Sequence, residues 1–279
     1  MDQSCHDRVG DLKTINTKCL FLYVKYRLVK TGSHRCKKVV EQTIERNLSG
    51  AAQMLALAKN WKSTASQKDH HLKIIAKLKK GQQKNGRWDP RGQLPGQKRE
   101  LEETSHVITL WNSLALINVA DQAHVDKKLV WPMAESAKKY VDSYDGGKSS
   151  EWLALRALFA RKMNDPEKEK IFLEKLTKSQ NEDGGWGWIT GDESDVLATS
   201  QIVYALSEMG KGVPTKAMDR ATGFLVKKQS SDGSWKVKGT KEKAKKRFTE
   251  TANYWGSAWA VIALSRVHSA RSVSSNPSN

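Results

Sequence analysis

The chain has 279 residues, 38% apolar, 28% charged and 8% aromatic, enough to bury a sizeable core and unlike a disordered tail, a collagen or a cysteine-knot peptide. Forty-eight basic residues against 30 acidic ones give a formal charge of +18, which favours anionic partners, yet no zinc finger, RNP sequence or basic zipper is present. No stretch approaches the roughly 20 apolar residues of a membrane span, and no thiol follows Cys5, Cys19 and Cys36 to serve as metal ligand or nucleophile in the main body.

In chain order, residues 1–45 are basic and stand outside the periodicity that follows. They read as an N-terminal extension or a mis-called translation start. No signal peptide stands out, which makes the cytoplasm the default compartment. Residues 46–268 form one repeat domain, and 269–279 read as a disordered tail with too little apolar surface to hold itself down.

Within the domain, Met54-Leu-Ala-Leu57 opens a series continued by Ser113-Leu-Ala-Leu116, Leu155-Arg-Ala-Leu158, Val203-Tyr-Ala-Leu206 and Val261-Ile-Ala-Leu264. Stretches 104–120, 196–206 and 251–265 contain no Asp, Glu, Lys or Arg, so a helix there must be covered on every side. Stretches 71–80, 125–141, 167–178 and 215–229 are amphipathic. In the last, Ala217, Ala221, Phe224 and Leu225 form one stripe, while Lys216, Asp219, Arg220 and Lys227 face away. Alternating fully buried and half-buried helices specify two layers. With short links at a constant period, these layers curve into an all-α toroid, or an arc of one, of about nine principal helices.

A turn recurs between the two helix kinds: Gln83, Gly86 and Trp88; Gln180, Gly185 and Trp186; Gln229, Gly233 and Trp235. Trp186 and Trp235 stand 49 residues apart, and Trp88 and Trp186 stand 98 apart. The turn at Tyr144–Gly147 keeps its glycines without Gln or Trp and is expected to be the weakest. The physical roles are structural: Gln bonds backbone groups left at a helix end, Gly ends the helix, and Trp covers the turn.

This turn resembles the QW motif of the terpene cyclase (squalene-hopene cyclase) and protein prenyltransferase superfamily, over roughly residues 50–266. The resemblance implies an α/α-toroid, and enzymes of that family process isoprenoids in a central apolar cavity. Their acid motif, Asp-x-Asp-Asp, has only Asp192-Glu193-Ser194-Asp195 as counterpart, without the adjacent pair of aspartates. The prenyltransferase zinc cysteine, the Asp-Asp-x-x-Asp motif and the thioester sequence Gly-Cys-Gly-Glu-Gln are absent. Four helix pairs and a last buried helix fall short of the family's closed rings, which suggests an open arc, a barrel completed by another chain, or a fragment.

Among candidate sites, Asp192, Glu193 and Asp195 stand before a buried helix, where a capping carboxylate is favoured. Asp192 and Asp195 remain the candidate catalytic acids. Trp111, Tyr204, Tyr254, Trp255 and Trp259 are the candidate ligand-binding aromatics, since in this family lumen aromatics stabilise carbocations through their π-faces. No histidine pair shows metal spacing, and His106, alone on an apolar helix, reads as a hydrogen-bonded core residue. No P-loop, dinucleotide fingerprint or GxSxG elbow is present, so no cofactor is expected. The expected function is therefore a non-catalytic toroid binding an apolar ligand, isoprenoid or lipid, or a protein partner. The alternative is a terpenoid cyclase-type enzyme. A carbohydrate enzyme has less support, because no acid and base pair stands out. An apolar small molecule, a second chain completing the toroid and a membrane surface reached through basic charge are the partners considered. Nucleic acid is not expected.

Overall fold

The computed structural model describes residues 48–57, 65–90, 99–239 and 246–274. Those residues form nine helices: α1 Leu48–Leu57, α2 Ala65–Gly81, α3 Leu101–Val119, α4 Lys127–Asp142, α5 Ser150–Lys162, α6 Pro166–Lys178, α7 Val196–Met209, α8 Thr215–Lys227 and α9 Glu250–Ser274. Their only β pairing is isolated bridges, two of which join Gln82 to Trp88 and Gln229 to Trp235 across the repeated turns. The chain is an all-α toroid. The expected N-terminal extension, 1–45, lies outside the described residues. Helix α9 runs to Ser274, into the segment expected as a tail, and 275–279 again lie outside.

The two helix kinds sort as their sequences require. Helices α1, α3, α5, α7 and α9 pack in succession as the inner layer, while α2, α4, α6 and α8 lie outside them. Almost all of α3, α5 and α7 is buried, whereas α8 buries only Ala217, Ala221, Phe224 and Leu225. The inner helices run parallel. At their C-terminal end, the last carbonyls of α1 accept from Asn118 of α3 (2.6 Å) and Tyr204 of α7 (3.1 Å) at Ala56, and from Arg266 of α9 (2.7 Å) at Leu57. The first and last inner helices are thereby drawn together. At the opposite end the inner N-termini gather carboxylates, the favoured charge there: Glu102 and Glu103 on α3, Glu151 on α5, Asp195 capping α7 and Glu250 on α9.

The repeated turns are superimposable in their bonds, and the bonds correct the expected register. The glutamine amide donates to the carbonyl four residues on: Gln82 to Gly86 (3.0 Å), Gln180 to Gly184 (2.8 Å) and Gln229 to Gly233 (3.1 Å). The first glutamine is therefore Gln82. Gln83, the expected one, reaches Asp89 on the surface instead. Likewise the left-handed glycine of the second turn is Gly184, φ +89°, and not Gly185; its equivalents are Gly86 and Gly233. Each indole N–H closes the turn on a carbonyl of the preceding outer helix: Trp88 on Leu78, Trp186 on Leu176 and Trp235 on Leu225, at 2.7–2.9 Å.

The turn between α4 and α5 does have a tryptophan cover, contrary to expectation. Trp152, on the first turn of α5, is 1% exposed, and a Cβ on Gly147 would stand 2.2 Å from its ring. The helix-end carbonyl that an indole N–H binds elsewhere is met here by the Arg156 guanidinium, which donates to Val141 and lies 4.3 Å from the Phe172 ring centre. His106 joins this assembly as a stacked plate, 4.2 Å from Tyr140 and 4.6 Å from Tyr144. Its ring nitrogens have no hydrogen-bond partner, so it is an apolar-packed core residue and not the hydrogen-bonded one expected.

Candidate ligand cleft at the rim of the inner helices

The second repeated turn builds one wall of a cleft. After Trp186 the chain folds back on itself: Asp192 N–H donates to Ile189 (3.0 Å), Asp195 N–H donates to Trp186 (2.8 Å), and the Asn181 amide holds both the Asp192 carbonyl and Ser194 Oγ at 3.0 Å. Gly187 permits the fold, since a Cβ there would come 2.5 Å from the Asp192 carbonyl. The cleft encloses about 540 Å³ between this wall, the end of α8 and the segment before α9. Trp188, Phe224 and Phe248 supply apolar surface, and Asp192, Glu193, Asp195, Lys228, Lys236 and Lys238 line it with charge of both signs. Phe248 is 57% exposed.

The three acids divide their roles. Asp195 caps α7, accepting from Ala198 N–H at 3.0 Å. Glu193 pairs with Lys238 at 3.1 Å in open solvent, where such a pair contributes little. Asp192 is exposed at the cleft edge. The folded chain thus brings the candidate acids to one cleft.

The candidate aromatics divide differently. Trp111 of α3, Tyr204 of α7 and Trp259 of α9 meet within the inner layer, with ring centres 5.6–6.3 Å apart and each residue 2% exposed. They pack against each other, almost wholly buried. Burial pushes the Tyr204 phenol well above its ordinary pKa, which fixes it as a neutral donor to Ala56. Tyr254 and Trp255 are half-buried on α9, with Trp255 packed on the core.

Sequence reasoning missed the group that links the cleft to Trp111. The Arg99 guanidinium lies 5.2 Å from the ring centre of Trp188, the cleft wall, and pairs with Glu151 at 2.5 Å with both side chains essentially buried. Glu151 also accepts from the Trp111 indole at 2.9 Å and the Gln201 amide at 3.0 Å. A carboxylate inside a helix buried on all sides was the available signal. Among the described residues, no three His, Cys, Asp or Glu side chains converge as a metal site, and no helix is long and apolar enough to cross a membrane.

Comparison with known proteins agrees with this architecture. Residues 147–231 match the squalene-hopene cyclase N-terminal domain. A drimenyl diphosphate synthase from Streptomyces showdoensis is 38% identical over 64 residues, 23% of this chain and 12% of that protein. One from Streptantibioticus cattleyicolor is 48% identical over 61 residues, 22% of this chain and 11% of that protein. The matched segment is thus about an eighth of those relatives. In overall shape the chain is similar to the unsaturated glucuronyl hydrolase of Bacillus sp. GL1, with TM-score 0.56 and 15% identity, covering 90% of this chain and 83% of that one. It is also similar to a possible GH105 family member from Salmonella enterica serovar Paratyphi A, with TM-score 0.54 and 15% identity, covering 98% and 90%. At that identity the likeness speaks for the fold alone. The matches over residues 147–231 and the repeat around them support kinship with the squalene-hopene cyclase and terpene cyclase-like superfamily.

Proposed function

We propose that this protein is a non-catalytic α/α-toroid of that superfamily, with residues 46–268 as its repeat domain, and that it binds its ligand at the rim and not in a lumen. The packing of Trp111, Tyr204 and Trp259 supports the reading: a cyclase needs a dry cavity large enough to fold a polyene, and these three inner-helix aromatics are packed on one another and almost wholly buried. The acids support it as well. Asp195 is engaged as a helix cap, and Asp192 stands in solvent, whereas protonating an alkene requires a strong acid shielded from water. The rim cleft suits a ligand of the isoprenoid or lipid kind, with its apolar body against Trp188, Phe224 and Phe248 and an anionic head among Lys228, Lys236 and Lys238. An apolar partner segment with acidic flanks fits the same chemistry.

The matched drimenyl diphosphate synthases favour a second reading, a terpenoid cyclase using Asp192 or Asp195 as acid. One experiment separates the two. The purified protein is incubated with labelled squalene, farnesyl diphosphate and geranylgeranyl diphosphate, and products are read by mass spectrometry alongside equilibrium binding. The proposal expects unchanged substrate and binding weakened by Phe248→Ala and Lys238→Ala. A cyclic product that disappears in Asp195→Asn would establish the enzyme instead.

A further inference from the structure

Folding brings together two histidines that the chain separates by 53 positions. His71 lies on α2 and His124 in the turn between α3 and α4, with His71 Nδ1 3.1 Å from His124 Nε2. The ring centres are 5.2 Å apart and the planes are inclined by 25°. From this pair we infer a two-imidazole site for a divalent first-row transition-metal ion, with water completing the coordination shell.

The separation fits. Two nitrogens 3.1 Å apart, each about 2.0–2.1 Å from a common ion, subtend roughly 98° there, between the octahedral and tetrahedral angles. Both supports are firm. His71 is 7% exposed on a helix whose next residues inward, Ile74 and Ile75, are core. The turn carrying His124 is held by Gln122 N–H on Val119 (3.0 Å) and Val125 N–H on Gln122 (2.9 Å), and it runs into Asp126, the cap of α4. His124 is itself half-exposed, so water reaches the remaining coordination positions. Among the described residues no third His, Cys, Asp or Glu completes a cluster, so these supply two ligands. Lys68, near His124, is the opposing charge; it is exposed and its long side chain can turn outward.

Without metal, one imidazole donates its N–H to the other. With metal, both facing nitrogens offer lone pairs, and the proton between them moves to the far nitrogen of its own ring, a change of tautomer without net loss. Imidazole pairs bind copper(II) more tightly than nickel(II) or zinc(II), so copper is the sensitive probe. Bound metal would tie outer helix α2 to the α3–α4 turn.

The test uses the full chain with Cys5→Ser, Cys19→Ser and Cys36→Ser, so that thiols do not compete. Copper(II) is titrated and followed by electron paramagnetic resonance. The expected result is one tight equivalent whose superhyperfine splitting reports two nitrogen ligands. In His124→Ala, on an exposed turn, affinity falls on the order of tenfold or more, because losing a ligand costs at least what losing its supporting partner does. His71→Gln should do the same, with the metal-free melting of His124→Ala unchanged as the check on folding. Copper held with the same affinity and spectrum by His124→Ala would overturn the inference, as would no tight equivalent in the parent protein.

Discussion

Replacing Trp186 by alanine removes the plate that covers the second repeated turn and the bond that closes it. The side chain is 1% exposed, and its indole N–H donates to the Leu176 carbonyl at 2.9 Å. Truncating a buried aromatic to alanine costs about 3–5 kcal/mol, and the Leu176 carbonyl, left without its partner, adds about 1 kcal/mol toward the upper end. The backbone of the turn stays anchored by Trp186 N–H on Thr199 at 2.9 Å, so the loss is one of packing and not of connection. Trp186→Phe separates the two contributions: it keeps most of the plate and loses the N–H, at a cost of about 1–2 kcal/mol. Urea melts followed by far-ultraviolet circular dichroism measure both. Because repeats couple mainly to neighbours, a broadened transition would report local melting, and its first phase is the one to compare. A loss below about 1 kcal/mol for the alanine variant would refute the reasoning, since it would mean the turn tolerates an empty cover.

The other expectations test separate features. Glu151→Gln leaves Arg99 buried without its counter-charge and should cost about 3–5 kcal/mol, whereas Glu151→Gln with Arg99→Met should recover most of it; equal losses would show the pair to be idle. Burial, with the nearby Arg156 charge second, pushes the His106 pKa down to about 4, so between that value and about 6.5 only the unfolded chain takes up the proton. The His106 contribution is therefore full above about pH 6.5 and falls by up to about 3 kcal/mol as pH drops to 4; His106→Phe should reduce the slope in melts across that range and leave the part due to His71, which burial also lowers to about 4. Gly184→Ala combines φ +89° with a Cβ 2.6 Å from the Arg220 carbonyl and should destabilise by more than about 1 kcal/mol, whereas Gly223→Ala, with open space, should not. Asp195→Ala removes the α7 cap and should cost about 1 kcal/mol by thermal melting; no change would mean that water replaces the carboxylate fully.

The fold was legible because the 3.6-residue apolar pattern and the 49-residue recurrence are local properties of the chain. Register was harder. Gln82 and Gln83 are adjacent, as are Gly184 and Gly185, and only the constant steps to tryptophan, six residues from glutamine and two from glycine, choose between them. Asp195 as a cap was readable from its place before a charge-free stretch, whereas the meeting of Asp192 and Glu193 with Lys228, Lys236 and Lys238 in one cleft was not. Glu151 with Arg99, and His71 with His124, meet across 52 and 53 residues, and no periodicity encodes such a pairing. The aromatic candidates were found by their helices, but whether Trp111, Tyr204 and Trp259 line a space or fill it depends on the radius of the ring, which sequence pattern does not carry.

The α4–α5 turn shows that the work of a repeat can move from one residue to another without the repeat being lost. Trp152 and Arg156, both on the following helix, cover the turn and satisfy the helix-end carbonyl, so neither Gln nor Trp is required between the two helices. A unit of this kind leaves no trace for a motif search, and the number of recognisable turns is only a lower bound on the number of helix pairs. Distant members of such a lineage would therefore look shorter and more broken in sequence than they are in space, and gaps between recognisable turns are the places to look for intact units.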